Sequence, residues 1–118
     1  MLKDDLVYLG HMLDTARKAV DKAAGTTRDE FDGDEDLRIV LTHLIQVVGE
    51  AAARVSVEFK HRNAQIPWRA IIGMRHKIVH DYMHVNYDLV WDAATVDLPP
   101  LVAELEKIVP PDESPSRD

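Results

Sequence analysis

The chain has 118 residues, no cysteine and a formal net charge of -7 at pH 7. This length is typical of one domain with a single core, and the absence of cysteine excludes disulfides, thiol catalysis and cysteine-ligated metal centres. Because nonspecific binding to nucleic acids depends on Lys and Arg side chains, the negative charge argues against a general nucleic-acid coat protein and makes any phosphate contact local.

The N-terminal segment, MLKDDLVYLGHMLD, contains acidic residues and an interrupted apolar pattern, whereas a signal peptide needs an unbroken apolar stretch. No later run approaches the roughly 18 apolar residues that a membrane span requires. We therefore expect a cytoplasmic protein that has no contact with a membrane.

The first predicted helix covers about residues 4–24, where Leu, Ala and Val recur at alternating spacings of three and four residues. Thr27 and Glu30 then form a capping-box pattern, which predicts a short turn or helix. The acidic stretch FDGDED that follows is expected to be a loop.

A long second helix is predicted to begin after a cap at Asp34 or Asp36 and to end near Phe59, because apolar residues recur along it with helical spacing. The polar stretch KHRNAQ is expected to connect it to a third helix. Pro67 fits the first position of that helix, since the N–H that proline lacks would be unpaired there. The third helix is predicted to run to about residue 80 or 83.

A fourth helix is predicted near Tyr87–Val96, and Pro99 and Pro100 fit the first turn of a fifth. No run alternates with the two-residue period of a strand, so we predict an all-α fold, an antiparallel up-and-down bundle of four to five helices. Residues 1–109 would form this single domain, and residues 110–118 a disordered C-terminal tail.

The stretch WRAIIGMRHKIVHDYMHVN, residues 68–86, combines Arg75, His80 and Tyr82. Arginine stays protonated, histidine titrates near neutral pH, and tyrosine offers a phenol. A guanidinium can grip a phosphate and stabilise charge that develops in a transition state, while an imidazole can transfer protons. This pair suits cleavage of an RNA phosphodiester without a metal, because the 2′-hydroxyl of RNA can be the attacking group.

The position of Arg75 on the third helix is unusual. On an ideal helix, Arg75 and Tyr82 fall within the apolar face, whereas His80 lies about 140° away from Arg75. Buried arginine is costly unless it is paired, so either this face meets another protein surface with a cleft in it, or the helix bends before His80. Two copies across a two-fold axis could bring Arg75 and His80 to one ligand, and we therefore infer a homodimer with a composite site.

The run of Arg75, four residues, His80, one residue and Tyr82 resembles the R-x4-H-x-Y signature of HEPN domains of the HepT family. WRAIIGMRHKIVHDY is similar to the tryptophan-led GMRN-type stretch of that family, VVGEAAARV to its IGEA stretch, and VWDAATVDLPPLVAELE to its last segment. His76 stands where asparagine is more usual. The resemblance covers nearly the whole chain.

The resemblance implies a HEPN-like bundle that acts as a dimeric, metal-independent endoribonuclease toxin, with Arg75 and His80 as catalytic residues. It also implies a separate partner, a nucleotidyltransferase antitoxin of the MntA kind that transfers AMP units onto Tyr82. Phosphate charge added there would occupy the cations and repel RNA. We further expect His76 or Lys77 to support phosphate binding, and we expect no metal ion and no cofactor.

Each of these residues also has a structural interpretation. Arg75 could make an ion pair with Glu50 inside the protein. His80 could interact with the C-terminal end of a helix. Tyr82 could be a half-buried core residue, as isolated tyrosines often are.

The function of the whole chain likewise has alternatives. The main one is a non-catalytic HEPN subunit that holds a nucleotide or substrate for a nucleotidyltransferase, and another is a dimerising adaptor without chemistry. A metal site also deserves mention, because three histidines repeat every four residues: His76, His80 and His84. Only Asp81 offers a carboxylate close to them.

Overall fold

The structure, a computed structural model, describes residues 3–81 and 84–111. Within these ranges the helices are α1 (Lys3–Ala24), α2 (Arg28–Gly33), α3 (Glu35–Arg54), α4 (Val57–Arg62), α5 (Trp68–Ile78), α6 (Tyr87–Asp92) and α7 (Leu98–Ile108). A π-helical segment, Ala93–Asp97, joins α6 to α7, and a short antiparallel hairpin, β1 (Val79–Asp81) and β2 (His84–Val85), lies between α5 and α6. The predicted all-α class is confirmed. Residues 112–118 of the predicted tail lie outside the described ranges.

The core lies around α3, which packs against α1 and α5. Because α1 also contacts α7, and α6 contacts α3, the helices enclose one continuous apolar cluster. Its largest fully buried side chains are Leu9, Met12, Phe31, Leu41, Ile45, Val48, Ile66, Ile78, Val90, Leu98 and Leu105. Removing these surfaces from water is the main favourable contribution to folding. No helix in the described ranges is long and apolar enough to cross a membrane.

The capping box predicted at Thr27 is present and starts α2. The side chain of Thr27 accepts a hydrogen bond from the N–H of Glu30, and the side chain of Glu30 accepts one from the N–H of Thr27. The same helix carries Phe31, a fully buried ring that lies 6.3 Å from the Tyr87 ring and 5.0 Å from the Trp91 ring, centroid to centroid. These contacts fix α6 against α2.

The prediction of a loop for the FDGDED stretch is wrong, because helices occupy nearly all of this stretch. Asp34 alone separates α2 from α3. Its carboxylate accepts a hydrogen bond from the N–H of Leu37, so Asp34 is the cap of α3, one of the two caps predicted.

The second predicted helix ends at Arg54 rather than near Phe59. Ser56, in extended backbone, caps the short helix α4 by accepting a hydrogen bond from the N–H of Phe59. The Asp5 carboxylate holds this break, since it accepts hydrogen bonds from the N–H of Ser56 at 2.8 Å and from its hydroxyl at 2.7 Å. Asp5 is only 3% exposed, so these bonds compensate for the burial of its charge.

The third predicted helix is also shorter than predicted, because α5 ends at Ile78 instead of residue 80 or 83. Val79 is extended, and its N–H donates to the carbonyl of Arg75. The carbonyl of Ile78 accepts a hydrogen bond from the N–H of Asn86 at 2.7 Å, which closes the hairpin. Strands of three and two residues are too short to show an alternating pattern in the sequence.

The predicted fourth and fifth helices form one continuous path. Pro99 and Pro100 lie in the first turn of α7, as predicted. Prolines lack the N–H groups that would bond to carbonyls four residues earlier, and those carbonyls belong to the π-helical segment Ala93–Asp97. Because Leu98 keeps right-handed helical angles, the wider turn accommodates the missing bonds without ending the helix.

We expect Asp5→Ala to lower the free energy of unfolding by about 2–3 kcal/mol, because it leaves the N–H and hydroxyl of Ser56 without their acceptor. Asp4→Ala is the matched control, since Asp4 is exposed in the same helical turn and should change the value by less than about 1 kcal/mol. Urea denaturation measures both. Equal losses in the two variants would contradict a structural role for the contact between Asp5 and Ser56.

Candidate active site

Arg75 of α5 lies against Gly49 of α3. Gly49 is buried, and a Cβ placed on it would lie 3.0 Å from Cγ of Arg75, 3.4 Å from its Cδ and 3.1 Å from the carbonyl oxygen of Ile71. The shortest of these distances is well below the roughly 3.5–4.0 Å at which carbon atoms attract each other best. A residue without a side chain therefore allows α5 to pass close to α3 with the stem of Arg75 between them.

One polar atom of the Arg75 side chain, its buried Nε, has no hydrogen-bond acceptor among the residues that the structure describes. Among residues 3–81 and 84–111, the ion pairs involve other cations, and Glu50, the partner considered from the sequence, is exposed beside α1. A buried donor without an acceptor typically costs about 1–3 kcal/mol, so the burial of this atom calls for an explanation.

His80 occupies an irregular position in the hairpin. Val79 pairs with Val85, whereas Asp81 pairs with His84, so the register shifts between the two pairs. His80 is the extra residue of this β-bulge. Bulges change the direction of side chains and are frequent next to active sites. The structure describes the backbone of His80 and not its side chain.

The end of α5 changes the geometric relation between Arg75 and His80. The separation of about 140° applies only to two residues of one continuous helix, and α5 ends before His80. Of the two alternatives that the sequence left open, a break in the helix before His80 is the one observed. The side chain of His80 is not described, so the composite site of two copies stays a prediction.

His76 and Lys77 are both exposed, on different sides of α5. Lys77 lines a groove of about 390 Å³ between α5 and the path from α6 to α7, together with Leu89 and Val96. Residues two apart on a helix differ by about 200°, so Lys77 points away from Arg75, while His76 is separated from it by about 100°. The structure does not bring Lys77 and Arg75 together.

Tyr82, the predicted modification site, lies outside the described residues. In the part of the chain that the structure describes, no group of three His, Asp or Glu side chains is arranged to hold a metal ion. This finding does not extend to the side chain of His80, so the metal site considered from the histidine repeat stays untested.

The sequence pattern assigned no role to Gly49. The sequence did contain an indication of one, because a glycine in the middle of a helix costs roughly 1 kcal/mol of helix stability relative to alanine. Gly49 follows the fully buried Val48 in the best-defined core helix, where such a cost indicates close approach of another element. The sequence alone does not show that the element approaching Gly49 is α5.

The comparisons with known proteins agree on one family. Residues 12–108 match the family described as ribonuclease HepT-like. "Putative RNase TTE0752" of Caldanaerobacter subterraneus subsp. tengcongensis is 28% identical over 108 residues, 92% of this chain and 96% of that protein. "Putative RNase MJ0125" of Methanocaldococcus jannaschii is 30% identical over 81 residues, 69% of this chain and 70% of that protein. "Probable ribonuclease HepT" of Thermococcus cleftensis is 29% identical over 80 residues, 68% of this chain and 73% of that protein. No solved structure matches the chain significantly.

The matched segment contains the residues from which the candidate site is built. It runs from α1 to the end of α7 and includes Gly49, Arg75 and His80. The resemblance that the R-x4-H-x-Y run indicated is thereby confirmed at the level of the family. The chain belongs to the ribonuclease HepT-like family.

Proposed function

We propose that this protein is a metal-independent endoribonuclease, the toxin of a two-component toxin–antitoxin system, with Arg75 and His80 as its catalytic residues. The observation that carries the proposal is the buried Nε of Arg75, which lacks an acceptor in a chain of a ribonuclease family. A structural arginine usually has a carboxylate beside it, and no ion pair of Arg75 is present among the described residues.

In the proposed reaction Arg75 binds the scissile phosphate. Its guanidinium can donate two parallel hydrogen bonds to phosphate oxygens, and the negative charge on those oxygens increases as the transition state is reached. Binding would therefore be stronger in the transition state than before the reaction.

The proposed nucleophile is the 2′-hydroxyl of the RNA. Its oxygen forms a new bond to the adjacent phosphorus, and the bond from phosphorus to the 5′-oxygen breaks. His80 takes the proton from the 2′-hydroxyl while water gives one to the leaving 5′-oxygen, or His80 gives that proton while water takes the first, since an imidazole titrates near neutral pH. The products are a 2′,3′-cyclic phosphate and a free 5′-hydroxyl. DNA lacks this hydroxyl and would not be cleaved.

The proposed regulation is transfer of AMP onto Tyr82 by a separate nucleotidyltransferase antitoxin. Tyr82 lies two residues after His80 in the chain. Each AMP unit adds a negatively charged phosphate close to the cations that bind RNA, so it would compete with the substrate.

We also propose that the protein is a homodimer. α3 leaves the adjacent side chains of Ile39 (54%) and Val40 (38%) exposed, and a second copy of the chain could cover them. A symmetric contact would place two copies of this surface together at a two-fold axis.

Purified protein should cleave RNA in the presence of EDTA, because the proposed reaction needs no metal. Arg75→Ala and His80→Ala should each reduce the cleavage rate about a hundredfold or more, the usual effect of removing a charge-stabilising or acid–base group. Arg17→Ala and His11→Ala are the controls, since both residues lie exposed on α1. Cleavage that survives in Arg75→Ala would refute the assignment, and an inactive unmodified protein would favour a non-catalytic HEPN subunit.

After incubation with the nucleotidyltransferase and ATP, the intact mass of the protein should rise by one or more AMP units, and Tyr82→Phe should abolish the rise. Tyr87→Phe is the matched control, because Tyr87 packs its ring against Phe31 and needs no hydroxyl for that contact. Mass spectrometry measures all three samples. An unchanged mass gain in Tyr82→Phe would remove Tyr82 from the proposal.

Sedimentation equilibrium should give a dimer, and dilution below the dimer dissociation constant should lower the specific cleavage rate. Ile39→Glu should shift the protein toward monomer, because it introduces charge into the exposed apolar surface of α3. Val57→Glu is the control, since Val57 is an exposed apolar residue on α4. A monomer with full activity would contradict the proposed dimer.

A further inference from the structure

We propose that Gly49 is the positioning residue for Arg75, and that close packing on this glycine sets where the guanidinium lies. The inference rests on the proposed ribonuclease role of Arg75 and adds a residue to it. Gly49 itself touches no substrate and acts only through Arg75.

The position of Arg75 needs an explanation because no ion pair from the described part of the chain fixes it. An arginine side chain has several rotatable bonds, and a guanidinium is usually held by a carboxylate or a carbonyl. In the described ranges Arg75 has no ion pair, and its Nε has no acceptor. A close contact that the structure does show is that of its stem with α3 at Gly49.

The contact is tight enough that a side chain at this position would force its neighbours to move by a few tenths of an ångström. A Cβ on Gly49 would meet Cγ of Arg75 at 3.0 Å and the carbonyl oxygen of Ile71 at 3.1 Å. Cγ lies near the root of the arginine, so displacing it moves every atom beyond it. The Ile71 oxygen belongs to the backbone of α5 and can move only with that helix.

The other helical glycines show that this closeness is specific to Gly49. Gly10 of α1 and Gly73 of α5 have no atom within 4 Å of the position that a Cβ would take. Alanine at Gly10 should therefore be accepted and should stabilise α1, because alanine has the higher helix propensity. Gly10→Ala is the matched control for Gly49→Ala.

The first test compares RNA cleavage by the two variants. Gly49→Ala should lower kcat about tenfold and change KM less, since a displacement of about 1 Å can cost roughly a hundredfold in rate and this contact requires a few tenths of an ångström. Gly10→Ala should keep both constants within about twofold. Equal kcat values in the two variants would overturn the inference.

The second test needs no RNA. Folding equilibria are measured for the unmodified protein, Gly49→Ala, Arg75→Ala and the double variant. If Gly49 acts through Arg75, Gly49→Ala should lower the folding equilibrium constant about tenfold in the unmodified background. The reduction should be clearly smaller in the Arg75→Ala background, where the crowded Cγ is absent. Equal effects in both backgrounds would overturn the inference.

These tests separate the two proposals. If the unmodified protein does not cleave RNA, the proposed function fails, and the folding cycle alone decides whether Gly49 positions Arg75. If Gly49→Ala does not fold, the double variant decides. Folding of the double variant supports the inference, and its failure to fold overturns it, because the Ile71 backbone would then be what excludes a side chain at Gly49.

Discussion

The close approach of α5 to α3 at Gly49 is the contact on which the candidate site depends. It places the stem of Arg75 between two core helices and buries its Nε, which has no acceptor among the described residues. The carbonyl of Arg75 accepts a hydrogen bond from the N–H of Val79, the residue that directly follows α5. Arg75 thus connects the packing of the bundle, the end of the helix and the chemistry proposed for the protein.

The hairpin after α5 is held from its other end by α6. Asn86 donates its N–H to the carbonyl of Ile78 and caps α6 by accepting from the N–H of Leu89. The start of α6 is in turn fixed by the ring of Phe31, which lies fully buried. The bulge at His80 is therefore bounded by two anchored helices, and such an arrangement suits a site in which two residues must keep a fixed separation.

Features coded within a few residues could be predicted from the sequence, and features that depend on contacts across the chain could not. The capping box at Thr27, the cap at Asp34 and the apolar periodicity of the helices are local, and the structure contains them. The early end of α3 depends on Asp5, which is distant in the chain, and the end of α5 depends on Asn86. The family was recognisable because its motif is also local, whereas the role proposed for Gly49 required the position of a second helix.

If Arg75 is the group that binds RNA phosphate, its Nε–H resonance must respond to RNA. The direct measurement is a titration of 2′-O-methyl RNA into nitrogen-15-labelled protein, because this RNA has no 2′-hydroxyl proton and cannot undergo the proposed reaction. The Arg75 resonance is assigned from its loss in Arg75→Lys. A shift of this resonance in proportion to bound RNA is the predicted result. RNA that binds while the Arg75 resonance stays unchanged would contradict a phosphate-binding role for Arg75.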